Sequence, residues 1–377
     1  MHEQPLPTKR CFLRRIPRGC RIAGCMILAV PCAIVGMFLL FISLISPPPA
    51  PTIAPALPPD FLKGITYESW WKDEFSSANS DETLSKIIQP MGANWIALIV
   101  KCHQATLTTT EITCTDDSTA TDDELIHVIE YAHKLGIKVM LKPHIDMANP
   151  NDGRHNINFG GNESAWKAWF TSYTELIRHY AKLARQTGAD YFVIGTELWG
   201  TSSRADDWRA VIHAVRAVYD GPLTYAALTY IEPWQISWWD ALDSIGIDAY
   251  YLLTLTDQPT IEQMKLGLQP AAFLLDQLAA HWHMPILFTE IGYMSVDGTN
   301  RLPGYWQLDG ATDPQEQADA YRAIFEVFSG KSWWKGAFWW SLDTNPNQGG
   351  LEDRGYSPHG KPAEDILRVW YFIPTPS

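Results

Sequence analysis

The sequence predicts an α/β protein, a single (β/α)8 (TIM) barrel preceded by an N-terminal transmembrane helix and a Pro-rich linker. Three observations carry that expectation. From about residue 61 onward, short apolar runs bounded by turn residues alternate with amphipathic runs of helical period, the pattern of βα units around a parallel sheet. The alternation recurs eight times over roughly 317 residues, which suits one closed barrel better than an open sheet. Two of the apolar runs, Tyr191–Leu198 (YFVIGTEL) and Pro285–Tyr293 (PILFTEIGY), each carry a Thr-Glu pair near their C-terminal end. A carboxylate at the mouth of an apolar strand is costly unless paired or working, and the C-terminal strand ends of a barrel are where active sites are built.

In chain order, residues 1–21 come first, with six basic residues against Glu3. That net +5 within a total of −13 leaves about −18 for the rest, an acidic body that argues against nucleic acid as a partner and suits a neutral glycan. Residues 22–46 are uncharged and apolar, long enough to cross a bilayer as a helix, which needs about 20 residues. The basic flank places the N-terminus in the cytoplasm and the body outside, a single-pass membrane protein. A cleaved signal peptide, giving a secreted protein, is the alternative. Residues 47–60 are rich in Pro and Ala and read as an extended spacer. The domain then spans residues 61–377 and is expected to be monomeric.

The eight strands are read at Lys63–Tyr67, Asn94–Val100, Lys138–Asp146, Tyr191–Leu198, Leu223–Leu228, Ser244–Tyr251, Pro285–Tyr293 and Gly336–Leu342. Helices are read at Asp81–Gln89, Asp122–Leu135, Ser164–Gln186, Ala205–Val218, Ile261–His281 and Pro314–Phe328. The loops Met147–Glu163 and Asp343–Lys361 are long enough to line a cleft. Cys102 and Cys114 are the only cysteines beyond the apolar run and flank a Thr-rich loop. Outside the cytoplasm a disulfide is the natural reading, two unpaired thiols the plainer one.

Strand alternation sorts the polar candidates. In the third strand Val139, Leu141, Pro143 and Ile145 share one apolar face, so Lys142, His144 and Asp146 project into the barrel mouth. In the sixth, Ile245, Ile247 and Ala249 face the helices and leave Asp248 and Tyr250 inside. The same parity groups Glu197 with Val193 and Gly195, and Glu290 with Ile286 and Phe288, as inward residues. Lys142 is either a substrate contact or the partner that neutralises Asp146 or Asp248. His144-x-Asp146 lacks the further ligands a metal requires, and no Gly-rich phosphate loop or Gly-x-Ser-x-Gly elbow occurs, so no metal or cofactor is expected. All 17 Trp lie beyond residue 69, several in pairs, and indole faces stack well on sugar rings. Tyr67, Trp70, Trp199, Trp339 and Trp340 therefore join Lys142, His144, Asp146, Asp248 and Tyr250 as candidate substrate-binding residues.

The ordered segments LKPHID, IGTEL, FTEIGY, GAFWWSLD and GYSPHGKPA resemble the clan A (β/α)8 glycoside hydrolases, most closely glycoside hydrolase family 113, the β-mannanase-like group. The resemblance spans roughly Gly64 to Trp370. It implies that Glu197 is the general acid/base, Glu290 the nucleophile, Tyr250 the hydrogen-bond partner of the nucleophile, and Trp340 the floor of the subsite where the bond breaks. Thr196 is a departure, since many clan A enzymes carry Asn there. The implied activity is retaining hydrolysis of β-1,4-linked mannose-containing glycans by double displacement. A transglycosylase or other β-glycosidase on cell-surface glycans, and a non-catalytic carbohydrate-binding barrel, are the competing expectations.

Overall fold

A computed structural model describes residues 56–149 and 151–372. The basic segment, the apolar run and most of the Pro-rich linker lie outside the described residues. Among the described residues no helix is long and apolar enough to cross a membrane.

Eight parallel strands close on one another in sequence order: β1 (Leu62–Glu68), β2 (Trp95–Gln104), β3 (Lys138–Met147), β4 (Tyr191–Thr196), β5 (Leu223–Leu228), β6 (Ile245–Asp248), β7 (Ile286–Ile291) and β8 (Trp334–Asp343), with β8 returning to β1. Nine helices are described: α1 (Ala78–Glu82), α2 (Asp122–Lys134), α3 (Glu163–Thr187), α4 (Trp199–Ser202), α5 (Ala205–Arg216), α6 (Glu232–Gln235), α7 (Ile261–Trp282), α8 (Pro314–Phe328) and α9 (Pro362–Phe372). The short α4, α6 and the closing α9 are absent from the sequence reading. α4 and α6 have four residues each, too few to register a period, whereas α9 carries a readable one in Ala363, Leu367, Trp370 and Tyr371 on its buried face.

Local chemistry fixes the helix starts. Thr121 caps α2 reciprocally with Glu124, and Thr260 caps α7 with Gln263, so the first free N–H groups of both helices are satisfied. Gly188, at φ 72°, ends α3 in the left-handed conformation that glycine reaches without steric cost. Leu57, assigned to the linker from composition, is buried in the outer core, so the domain begins earlier than the proline tract suggests.

The core has two layers. Between strands and helices lies the large one, built on residues such as Ile65, Val139, Ile194, Ile247, Phe288 and Trp339. Inside the barrel lies a compact plug of Trp95, Ala97, Met140, Tyr191, Val193, Ala226, Leu287 and Phe338. A Cβ on Gly64 would come 2.2 Å from the Phe338 ring, so the ring fills the place a larger residue would take. The plug closes the barrel interior below the mouth and leaves the polar strand ends above it to form a site.

Candidate active site

Strand alternation delivers most of the polar groups. Met140 belongs to the interior plug, so Lys142 and His144, two and four residues on, point inward above it. Lys142 is fully buried, and its Nζ donates to Glu290 Oε1 at 2.5 Å and to Asp248 Oδ1 at 2.9 Å. Thr289 Oγ1 donates to the same Asp248 oxygen at 2.8 Å. Tyr250 donates its hydroxyl to Glu290 Oε2 at 2.9 Å, so both oxygens of Glu290 are held.

Glu290 reaches this corner by a different route from the one alternation predicts. Ile286 and Phe288 belong to the outer core, and Leu287 belongs to the plug. Simple parity would therefore send Glu290 outward. The pairing of β6 with β7 slips at this point, with Ile247 opposite Phe288 but Asp248 opposite Glu290, which leaves Thr289 as the extra residue of a bulge. Thr289 and Glu290 then both reach the polar cluster.

Glu197 follows β4 and is held by its backbone. Its φ is 53°, the left-handed region that side chains other than glycine seldom occupy, and its N–H donates to the Ala226 carbonyl at 2.8 Å. Among the described residues no hydrogen bond reaches its carboxylate. The nearby cation is Arg154 in the β3–α3 loop, whose Nη2 lies 3.3 Å from Asp146 Oδ1 and whose buried Nη1 has no partner.

These surroundings push the two carboxyls in opposite directions. Burial raises the pKa of Glu197, and the Glu290 charge adds to the rise while Arg154 opposes it. Burial would raise Glu290 too, but the Lys142 ammonium and the His144 contact outweigh it and hold the group well below the usual carboxylate range. His144 itself is pushed down to about 4, by burial first and by Arg154 second, so at neutral pH its ring is uncharged. Its Nε2 sits 3.4 Å from Glu290 Oε1, out of line for a good hydrogen bond. The ammonium of Lys142 is thus the charge that keeps Glu290 ionised. Asp248, raised by burial and then by Glu290, is the member of the Lys142 trio that takes a proton most readily. A half-buried carboxyl pushed toward its protonated form and a buried one held as the anion, their affinities for protons driven apart, make the arrangement that acid/base and nucleophilic work on one substrate requires.

A profile of Glycoside Hydrolase Family 113 matches residues 65–361, most of the chain and all eight strands except the first residues of β1. The chain belongs to glycoside hydrolase family 113. Two solved structures of a GH113 β-1,4-mannanase, one of them a complex, are 32% identical to it, with TM-scores of 0.75 and 0.76, each over 82% of this chain and 98% of theirs. The GH113 β-mannanase AaManA from Alicyclobacillus acidocaldarius, solved in complex with ManMIm, is 28% identical, with a TM-score of 0.74 over 82% of this chain and 97% of its own. A β-glucuronidase from Ruminococcus gnavus, 13% identical at a TM-score of 0.56, shares the barrel alone. No curated protein matches the chain.

Within this family 113 barrel, the aromatic candidates divide. Trp340 stands at the mouth with its ring parallel to His144, centroids 6.3 Å apart. Trp70 is half exposed, with its indole N–H donating to Asp343 Oδ2 at 3.1 Å and Lys101 Nζ 3.9 Å from its ring centroid. Trp199 opens α4 and donates its indole N–H to Gln235. Two expectations are corrected. Tyr67 is fully buried in the outer core and bonds Ser80 Oγ at 2.8 Å, and Trp339 is fully buried there too, stacked on Tyr321. Both occupy outward positions of their strands, the same alternation that turns Gly64 and Trp340 inward. Asp146 pairs with Arg154 and not with Lys142.

The disulfide is present, with Cys102 and Cys114 bonded and their Cα atoms 4.4 Å apart. It tacks the Thr-rich loop to the end of β2, beside the two backbone hydrogen bonds that pair His103 with Thr113.

Some site residues escaped the sequence reading. Arg154 lies in an aperiodic loop that offers no face to read. Glu68 did carry a signal, since it ends an apolar strand as Glu197 and Glu290 do. It is buried, 3.2 Å from Lys101 Nζ, and accepts from Ser341 Oγ at 2.8 Å.

Proposed function

We propose that the chain hydrolyses β-1,4-linked, mannose-containing glycans with retention of anomeric configuration, by double displacement. The observation that carries the reading is Glu290 clamped by Lys142 and Tyr250 at the end of β7, with Glu197, whose carboxyl burial pushes toward the protonated form, at the end of β4. The mannose preference rests on the family 113 mannanases at 28 to 32% identity.

In the first step Glu290 attacks the anomeric carbon while Glu197 gives its proton to the departing glycosidic oxygen, leaving a glycosyl ester on Glu290 and Glu197 as carboxylate. In the second, Glu197 takes a proton from water as the water oxygen attacks the same carbon, and the ester bond returns its electrons to Glu290. Trp340 and the ring of His144 form the wall against which the sugar at the cleavage point lies. Incubating the protein with β-1,4-manno-oligosaccharides and following the anomeric protons by NMR tests the reading. The β-anomer should appear first. Initial release of the α-anomer, or turnover of cello- or xylo-oligosaccharides alone, overturns it.

Residues 22–46 are proposed to anchor the catalytic body outside the cytoplasm as a single-pass protein. Protease added to intact cells should then remove the body. Its protection alongside cytoplasmic controls would contradict the anchor.

A further inference from the structure

Glu197 holds a strained backbone conformation and, among the described residues, no hydrogen bond reaches its carboxylate, so other groups fix where that carboxylate points. A side chain's direction is set by the two peptide planes that flank its Cα. The preceding plane is fixed by the Glu197 N–H to the Ala226 carbonyl, at 2.8 Å. The following plane carries the Leu198 N–H. That group donates to the hydroxyl of Tyr225 at 2.7 Å. Leu198 directly precedes α4, where an N–H has no carbonyl of its own helix to meet.

Tyr225 is fully buried, and its hydroxyl donates to Glu232 Oε1 at 2.5 Å. Glu232, the first residue of α6, is buried as well and takes the Leu228 N–H on its other oxygen at 2.6 Å. The last residue of α6, Gln235, accepts the indole N–H of Trp199. One short helix after β5 therefore grips the chain on the C-terminal side of Glu197 at two points, through Leu198 and through Trp199. The chemistry described above uses neither Tyr225 nor Glu232.

We propose that Tyr225 and Glu232 are positioning residues that hold Glu197 in the left-handed conformation needed for proton delivery to the leaving oxygen. The proposal rests on Glu197 being the acid/base. Burial pushes Glu232 up to about 8, and its two oxygens act on Glu197 through the bonds they accept from the Tyr225 hydroxyl and the Leu228 N–H. Strained backbone persists only where its surroundings over-determine it, and these bonds supply that determination.

Tyr225→Phe removes the hydroxyl that receives the Leu198 N–H. Glu232→Gln keeps the shape but puts an amide N–H donor where one of the two accepting oxygens stands, facing the Tyr225 hydroxyl or the Leu228 N–H. Each variant is checked for folding by circular dichroism and thermal unfolding, and Glu232→Gln decides if Tyr225→Phe does not fold. The readout is kcat/KM on two substrates. A β-1,4-manno-oligosaccharide leaves as a poor alkoxide that needs the proton, whereas 2,4-dinitrophenyl β-mannoside does not. Misplacing the acid should cost the oligosaccharide about tenfold or more beyond any loss on the aryl glycoside, within the range general acid catalysis supplies. Equal losses on both substrates, or no loss in a folded variant, overturn the proposal. Glu197→Ala, measured alongside, separates the two claims. If it lacks leaving-group dependence the acid/base reading fails, and if it alone has that dependence only the bracing role fails.

Discussion

The two carboxyls at the barrel mouth are held in opposite ways. Glu290 sits in a corner dense with donors, both oxygens bonded, one to the buried Lys142 ammonium. Glu197 sits against the β5 side, its carboxyl without a hydrogen bond among the described residues, placed by a left-handed backbone that Ala226 and Tyr225 grip from either side. A nucleophile must stay charged, so fixed donors that favour the anion serve it. An acid must keep a proton until the transition state, so the same donors would spoil it, and a dry wall with support through the backbone serves instead.

The largest expected effect comes from breaking the charged end. Lys142→Met leaves Glu290 and Asp248 sharing a buried site without their cation, and Glu290 then holds a proton more readily. On β-1,4-manno-oligosaccharides kcat/KM should fall on the order of 10² to 10³, and the acidic limb of its pH profile should move to higher pH. An unmoved acidic limb would assign the control of Glu290 to another group.

His144 sharpens the same end. It titrates at about 4 in the folded chain against 6.5 when unperturbed, so between those values the unfolded chain binds a proton that the folded one refuses. Stability is therefore complete above about pH 6.5 and falls as pH drops toward 4, by about 3 kcal/mol over the window. His144→Asn should flatten that dependence in urea titrations run at stepped pH. A slope unchanged by the substitution would mean that the imidazole is charged in the fold and shares the work of Lys142.

Tyr250→Phe should have the smallest effect, removing the neutral one of the two bonds to the Glu290 carboxylate. A fall in kcat of about one order of magnitude with KM nearly unchanged is expected. A loss as large as that of Lys142→Met would make the hydroxyl an equal partner of the ammonium.

The barrel was legible because its signals are local and periodic. Leu223–Leu228 and Pro314–Phe328 fall where alternation and a proline start put them, and parity alone turns Lys142, His144, Asp248 and Tyr250 inward. Glu290 was picked for a sound chemical reason, a charge ending an apolar strand, but its inward direction depends on a bulge at Thr289 that no alternation encodes. Tyr67 and Trp339 were misplaced because aromatic content was read without applying the parity that separates Trp339 from Trp340. Arg154, Tyr225 and Glu232 act through tertiary contacts between a loop, a strand and a four-residue helix, and no spacing in the sequence announces such a meeting. The apolar run at 22–46 reads clearly as a sequence but lies outside the described residues.

The division of labour between the two carboxyls is tested most directly by removing each and supplying azide in its place, with an activated aryl β-mannoside as substrate. In Glu290→Ala, azide should attack the open face of the sugar and release the α-mannosyl azide, of inverted configuration. In Glu197→Ala, the Glu290 ester should still form, and azide, needing no base, should release the β-mannosyl azide, of retained configuration. The opposite pairing of variant and product would exchange the two roles. Near-normal turnover of mannan by either variant without azide would contradict the account and move the chemistry to another acid in the cleft, Asp146 or Asp248 first.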